Sequence, residues 1–499
     1  MEATLTRPDI LFVAIDDMND WTGWLGGHPW ARTPNLDALA AQSFRFNRAM
    51  CPTPYCKTSR LNVMLGTSPH VSGLISKDVA DWMSTLAPYR TIAGTAHGEG
   101  YHTVGAGKLW HSVMPKVVLR EDPDAWDEFF DVGTNPSAEG EPASAIYRGW
   151  PANPNPAPFD WGGLDRPMND WRDAKAVRHI SEKLFTVPRD KPLFAGVGFN
   201  KPHLPWQVPP EFAAPFLGGD IPVGPDIDPA AARLPRTAVD WVKKMANFVY
   251  WPGRAGEPPV RGTRHEVIKQ SGQWAEAARW YLASIYWTDF MFGLVWAALK
   301  NAGRDENTIV VVWTDHGHHL GEMQHWGKYT LWERSLRVPF LVRVPEAIRK
   351  ARGLPPPCAI ETPVSTTSTF ATLADLCGWP VPDHPAYCSR SLLPLIGRDA
   401  PSEAAPVLSA WNPGNWSLRW DHYRYTRYGS GPAREEELYD YAVDPHETTN
   451  RVTDKAYDQV RARLSATLDE MLVNAPAAAL VDTGGKGGRG GKGRRDDDD

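Results

Sequence analysis

The residues of this chain that could do chemistry together fall in a few short polar segments. Asp16-Asp17 pairs two carboxylates, and Asp315-His316 adds a third carboxylate and an imidazole. Cys56 and Arg60 stand four residues apart, and Lys108 with His111, Lys201 with His203, and Lys328 supply further cations and imidazoles. Carboxylates crowded together repel one another unless a cation neutralises them. Oxygen-rich ligation by Asp16, Asp17, Asp315 and His316 suits a hard divalent ion such as Ca2+, Mg2+ or Mn2+ better than zinc. A single Asp-Asp pair could simply cap a following helix; two such pairs at equivalent strand ends favour a metal. A cysteine leading into a helix lies near positive dipole, and an arginine one helical turn later reaches the same spot, which stabilises an oxyanion. Lysines around an anion stabilise transition-state charge, and histidines move protons. Taken singly, each lysine reads as a solvated surface charge and each histidine as a structural one.

Each of these groups needs an element to hold it. Ile10–Ile15, Thr103–Gly107, Leu193–Phe199 and Thr308–Thr314 are apolar runs that end at Asp16, Lys108, Lys201 and Asp315 respectively or one residue short of them. Runs of this kind read as strands buried on both faces, as in a parallel sheet. Ligands of open α/β sheets bind outside the carboxyl ends of the strands, so the polar segments are expected to converge there. Helical patterns follow Thr33-Pro34 and cover Asp173–Phe185 and Arg264–Leu299. The alternation over residues 1–384 predicts a doubly wound α/β catalytic domain with a mostly parallel central sheet flanked by helices. A second helix begins near Ser59, which leaves Cys56 on the loop before it. Long Pro-rich loops at 133–168 and 205–262 read as walls or lids.

Past residue 385 the texture changes to short aromatic runs, Trp416–Trp420, His422–Tyr428 and Glu437–Tyr441. These predict antiparallel strands, closed by a helix over Lys455–Leu472, in a smaller C-terminal subdomain at 385–482. Residues 483–499 are Gly, Lys and Arg followed by four Asp, and are expected to be a disordered, solvated tail.

Composition excludes several classes. A net charge of -6 gives no basic field for nucleic acid. Tyr281–Leu299 imitates a membrane span, with Asp289 as its one charge, but its Lys300–Gly303 stop and the strand after it mark a buried crossover helix, so no membrane partner is expected. The five cysteines are too few for a disulfide scaffold; Cys377 and Cys388 could pair or stay free. Met1–Pro8 is polar and does not read as a secretory signal. This gives a cytoplasmic protein if Met1 is the native start, and a periplasmic or secreted one if a leader was removed. The 23 tryptophans fit either a carbohydrate-sized cleft or aromatic packing under long loops.

At this point the motifs resemble one family. Cys56-Lys-Thr-Ser-Arg60 with Leu65-Gly-Thr67 resembles the sulfatase signature, in which Cys-x-Pro-Ser-Arg leads into a Leu-Thr-Gly stretch. Thr314–Glu322 with Trp326-Gly-Lys328 is similar to that family's second metal-ligand stretch and its lysine. Gly107-Lys-Leu-Trp-His111, Lys201-Pro-His203 and Asp440–Asn450 match further elements, in order along nearly the whole chain. The likeness is greatest to the iduronate-2-sulfatase-like branch. It implies an alkaline-phosphatase-like fold and a sulfuric ester hydrolase acting on a sulfated carbohydrate. It further implies that a formylglycine-generating maturation enzyme converts Cys56 to Cα-formylglycine, whose hydrate is the nucleophile. Asp16, Asp17, Asp315 and His316, with residue 56, would hold the divalent cation, which the resemblance implies is Ca2+, with Mg2+ or Mn2+ as alternatives. Lys108, Lys201, His203 and Lys328 would bind substrate, His203 would protonate the leaving oxygen, His111 would act as base, and Arg60 would orient the hydrate.

Two departures stand out. Thr58 replaces the proline that maturation enzymes read, and Met323-Gln324 stands where relatives often show His-Gly. Two other readings share these residues. One is a phosphonate monoester or phosphodiester hydrolase on the same scaffold, since a phosphodiester carries the charge of a sulfate monoester. The other is a non-catalytic, metal-dependent binder of sulfated glycans with Cys56 unmodified. For substrate choice the sequence points to Arg233, Arg236, Arg254, Arg261 and Arg264 on the 205–262 loop, as partners for a uronic carboxylate, and to the strand around Trp411–Trp420. Oligomeric state is not legible.

Overall fold

The computed structural model describes residues 7–77, 89–136, 144–148, 159–229, 231–245, 249–254, 256–397, 405–473 and 475–476. The C-terminal tail expected to be disordered, and parts of both long loops, lie outside them.

Eight strands form the central sheet, in the order Ala359–Ile360, Phe44–Phe46, Phe340–Arg343, Thr308–Thr314, Asp9–Ile15, Leu193–Phe199, His102–Gly107 and Glu128–Phe130. The run from Thr308–Thr314 to Glu128–Phe130 is parallel throughout. Phe340–Arg343 alone opposes its neighbours. The expected mostly parallel α/β sheet is therefore present. Alternate residues serve opposite faces, as a pleated strand requires. Ile10, Phe12, Ile309, Val311 and Trp313 enter one core, and Leu11, Val13, Val310, Val312 and Val197 enter the other. Burial on both faces explains why these strands read as continuous apolar runs.

Register places the site. Ile15 pairs with both Thr314 and Phe199, and Gly107 pairs with Gly198. Four strands thus finish level with one another, and the residues after them share one edge.

Helices Arg172–Thr186 and Trp274–Asn301 cover the second face. The expected helical stretch from Arg264 is in fact two helices, Arg264–Gln270 and Trp274–Asn301, broken where Gly272 takes φ 67°. Trp274–Asn301 is long and apolar enough to cross a membrane, yet 72% of its apolar window is buried inside the protein. Its internal charge has a structural use: the Asp289 carboxylate accepts from the Leu36 amide (2.8 Å), the Asn35 amide (3.2 Å) and Asn35 Nδ2 (2.8 Å). It thereby satisfies orphan donors of the Pro34–Ala40 helix from outside.

The C-terminal sheet has four antiparallel strands, Val407–Ala410, Trp416–Trp420, Tyr423–Tyr428 and Glu435–Asp440. Leu464, Leu468 and Leu472 of helix Asp458–Leu472 pack on Leu408, Trp416, Leu418, Tyr425 and Leu438. Its other face is polar and bonded to elements around the central sheet. Arg424 reaches Glu333, Trp332 Nε1 donates to Glu437 at 2.9 Å, and Ser409 Oγ donates to the Cys51 carbonyl at 2.6 Å. All five cysteines are free, so Cys377 and Cys388 do not pair.

Candidate active site

The level strand ends bring Asp16, Asp17, Lys108 and Asp315 to one place. Asp17 takes φ 61°, which turns its amide onto Asp315 Oδ1 at 3.2 Å. Tyr281, on the long helix, donates its hydroxyl to the Asp17 carbonyl at 2.8 Å. Cys56 is not on a loop before the helix, as the sequence suggested, but is the first residue of helix Cys56–Leu65, with Tyr55 extended as its N-cap. The helix starts early because nothing in Lys57-Thr58 breaks it, and the Ser59 amide donates to the Tyr55 carbonyl at 2.9 Å. Ser59 Oγ in turn donates to the Asp315 carbonyl.

Lys328 returns to the same spot on a short hairpin, where His319–Leu320 pairs with Trp326–Gly327. Met323 and Gln324 form its tip with φ 53° and 55°. The imidazoles of this segment hold its shape. His325 Nε2 bonds the Lys328 carbonyl (2.6 Å), His319 Nε2 bonds Thr330 Oγ1 (3.0 Å), and His318 Nδ1 bonds the His319 carbonyl (2.8 Å).

These groups form one buried cluster. Cys56 Sγ lies 2.9 Å from Lys328 Nζ and 3.2 Å from His316 Nε2. Asp17 Oδ1 lies 3.1 Å from Lys328 Nζ and 3.2 Å from His316 Nδ1. Asp16 meets Lys108 Nζ at 2.6 Å and Arg60 at 3.3 Å, and Arg60 Nε donates to Asp315 Oδ2 at 2.9 Å. Arg60 also donates to the Lys108 carbonyl. His203 Nε2 lies 3.8 Å from Asp17. His111 is half-buried, with its ring 5.6 Å from that of Tyr55, the residue before Cys56.

Burial and charge set the protonation of the cluster. Burial alone would raise Asp16, but Lys108, His203 and Arg60 hold it well below the usual carboxylate range. Asp17 is raised by burial, against the pull of Lys328 and His316. Asp315 is pushed up to about 7 by burial, although Arg60 opposes this. Burial brings His316 down to about 3, helped by Lys328. The neutral ring bonds the Gly317 carbonyl through Nδ1, so the Nε2 lone pair faces Cys56 by the logic of its bonding. The Cys56 thiol is pushed well up, by burial first, so it is no ready thiolate.

The donor set fits a hard divalent cation. Ligand atoms of Asp16, Asp17, Cys56 and His316 all lie within 4.8 Å of one another. These are two carboxylate oxygens, a neutral imidazole nitrogen and the Cys56 sulfur, the one soft donor, whose position an oxygen would suit better, with the Lys108 and Lys328 ammonium groups beside them. Asp315 is the fifth residue the sequence proposed as a ligand; its Oδ2 faces Arg60 and lies 3.7 Å from His316 Nε2.

Lys201 differs from the expectation of a substrate grip. Its Nζ donates to the carbonyls of His203 (3.3 Å) and Pro205, on its own turn. Of the loop arginines, Arg264 is buried, donates to the Trp326 carbonyl at 3.1 Å and lies 4.2 Å over Phe159, so it packs the wall. Arg261 lies over Tyr250 and Arg236 pairs with Asp240. The Asn450 side chain donates to the Arg233 carbonyl, and the Arg254 amide donates to Glu257. Tyr55, Tyr329 and Trp411 form an aromatic group beside the cluster, with centroids 5.2 to 5.9 Å apart. Ser59, Tyr281, Asp173 and Thr288 support the site and were missed, because single polar residues inside helical patterns carry no signal of what they face.

Known proteins resemble this chain over most of its length. The sulfatase family model matches residues 8–379, and the model of the N-sulphoglucosamine sulphohydrolase C-terminal region matches residues 321–474. A sulfatase of Formosa agariphila is 26% identical over 94% of this chain and 87% of its own. Iduronate 2-sulfatase of Mus musculus is 26% identical over 75% of this chain and 69% of its own. Among solved structures, the phosphonate monoester hydrolase of Silicibacter pomeroyi superposes with a TM-score of 0.71 at 19% identity, over 95% of this chain and 96% of its own. With a match over most of its length and a buried carboxylate–imidazole–cysteine cluster at its strand ends, the chain belongs to the sulfatase family of sulfuric ester hydrolases.

Proposed function

We propose that the protein hydrolyses a sulfate ester of a sulfated carbohydrate, with residue 56 as nucleophile after conversion of Cys56 to Cα-formylglycine. The observation that carries this reading is the position of Cys56 Sγ, 2.9 Å from Lys328 Nζ and within the carboxylate–imidazole group. A raised, buried thiol is a poor nucleophile there, whereas an oxygen nucleophile at the same point would face the Lys328 ammonium. The hydrated aldehyde would supply that oxygen and a second hydroxyl through which sulfate leaves, while a divalent cation, Ca2+ foremost, held by Asp16, Asp17, Asp315, His316 and residue 56 would polarise the sulfuryl group. Lys108 and Lys328 hold the sulfate oxygens, and Arg60 orients residue 56. His203 delivers a proton to the leaving oxygen. Burial first, then Lys108 and Lys328, lower its pKa; the charge of a bound sulfate ester offsets those lysines and allows Nε2 to protonate. His111, beside Tyr55, takes the proton from the second hydroxyl.

The carbohydrate class rests on the name of iduronate 2-sulfatase among the relatives. Thr58, where the family signature has proline, bonds Thr53 Oγ1 at 2.8 Å. The test is intact mass after co-expression with a maturation enzyme, together with sulfate release from aryl and sugar sulfates. An aldehyde at residue 56 and sulfate release are expected. A plain thiol with no release would sink the proposal; glycan binding that persists in Cys56→Ala would then favour a non-catalytic binder. The likeness to a phosphonate monoester hydrolase supports a second reading on the same scaffold. Turnover of matched sulfate monoesters and phosphodiesters with one leaving group separates the two.

A further inference from the structure

Lys201 is a buried ammonium, 2% exposed, that closes on its own chain. Its Nζ donates to the carbonyls of His203 and Pro205. Its carbonyl accepts from Thr288 Oγ1 at 2.8 Å, and its amide donates to Asp173 Oδ2 at 3.3 Å. Asp173 also accepts from the Asn200 amide at 2.7 Å and from Trp287 Nε1 at 3.1 Å. Residues 200–205 are thus pinned by helix Arg172–Thr186 through Asp173, by helix Trp274–Asn301 through Trp287 and Thr288, and from within by Lys201. His203 sits in the middle of the pinned turn, its Nδ1 on the Leu204 carbonyl at 2.6 Å and its Nε2 toward the cluster. A buried charge is costly unless it is hydrogen-bonded, and among the described residues the partners of this one are the His203 and Pro205 carbonyls of its own turn.

We propose that Lys201, Asp173 and Thr288 form a clamp that fixes the 200–205 turn and aims His203 at the leaving-group oxygen, so that Lys201 is a positioning residue and not a sulfate ligand. The inference rests on the sulfatase reading with His203 as the acid. Acid assistance matters most when the leaving oxygen is basic. A slack clamp therefore penalises poor leaving groups selectively, whereas a lost sulfate grip penalises all sulfate esters alike.

The experiment measures kcat and KM of converted wild type, Lys201→Met and Thr288→Val on 4-nitrophenyl sulfate and on phenyl sulfate, whose phenol is much the more basic leaving group. General acid catalysis contributes about 100-fold or more. Lys201→Met is therefore expected to lose at least about tenfold more kcat on phenyl sulfate than on the nitrophenyl ester, with KM for both little changed. Thr288→Val removes one hydroxyl at constant shape and shows the same selectivity to a smaller degree, which keeps the test open if Lys201→Met folds poorly. The Lys201→Met/His203→Ala double variant should be no slower than His203→Ala alone. Equal losses on both esters, a rise confined to KM, or additive losses in the double variant would overturn the clamp. Absence of sulfate release by converted wild type would instead overturn the sulfatase reading itself.

Discussion

Arg60 is the group on which the integrity of the acidic cluster depends most. Its guanidinium is fully buried and serves three acceptors at once: Asp315 Oδ2 at 2.9 Å, Asp16 Oδ1 at 3.3 Å and the Lys108 carbonyl. Arg60→Ala leaves all three in a dry site, and removing one partner of a buried pair costs about 3–5 kcal/mol. Unfolding entropy is about 2.1 cal/mol/K per residue, so the 499-residue chain changes by about 1 kcal/mol per degree if it melts as one unit. Arg60→Ala should then melt about 3–5 °C below wild type in a calorimetric scan. Arg60→Lys keeps the charge but offers one nitrogen in place of a fork, and should recover only part of that loss. Arg236→Ala is the matched control. Its side chain is 88% exposed and its ion pair with Asp240 spans 3.7 Å, so its melting temperature should stay within about half a degree. An Arg60→Ala melt within about 1 °C of wild type would refute the view that the guanidinium holds the carboxylates together.

Three further expectations follow from other sites. Asp122 is buried with Thr91 Oγ1 as its hydrogen-bond partner, and burial raises it to about 8. Its folded form keeps a proton that the unfolded chain has released, so stability present below about pH 4 is lost progressively as pH rises from there to about 8. Asp122→Asn still accepts from Thr91, and its melting temperature relative to wild type should climb between pH 5 and pH 8; a flat difference counts against the buried, protonated form. Asp289→Ala strips three donors at the start of helix Pro34–Ala40 of their acceptor and should cost about 2 kcal/mol in denaturant titration, whereas an effect below about 0.5 kcal/mol would deny the cap. Adding Ca2+ to chelator-treated protein at about 100 times its dissociation constant should stabilise it by about 2.7 kcal/mol. Asp17→Asn should abolish that gain, and a gain surviving in the variant would place the ion elsewhere.

The convergence of Asp16, Lys108 and Asp315 was legible because strand ends are marked in a sequence twice over, by the end of an apolar run and by the start of a polar one. A parallel sheet then sets its strands level without further information, as the pairing of Ile15 with both Thr314 and Phe199 illustrates. The direction of a side chain beyond the strand end carries no such mark. Lys201 and Lys108 follow similar runs, yet Lys108 meets Asp16 while Lys201 folds back onto the His203 and Pro205 carbonyls. What separates them is tertiary: Asp173 and Thr288 come from helices distant in the chain and take up the backbone groups of residue 201. The start of helix Cys56–Leu65 was hidden for a related reason, since Tyr55 caps it with no side-chain hydrogen bond and so leaves no Ser, Asp or Asn signal to read. Val407–Ala410 escaped notice because its four residues are too few to show a period; it exists because Trp416–Trp420 pairs with it and the Cys51–Pro52 backbone accepts from Ser409 and Ala410. That contact matters to the chemistry: the short strand borders the segment before Cys56 and leads into Trp411, which lies against the tyrosines that flank Cys56 and Lys328. The C-terminal sheet therefore does more than pack beside the central one, because the residue that follows its first strand, Trp411, joins the aromatic group beside the cluster.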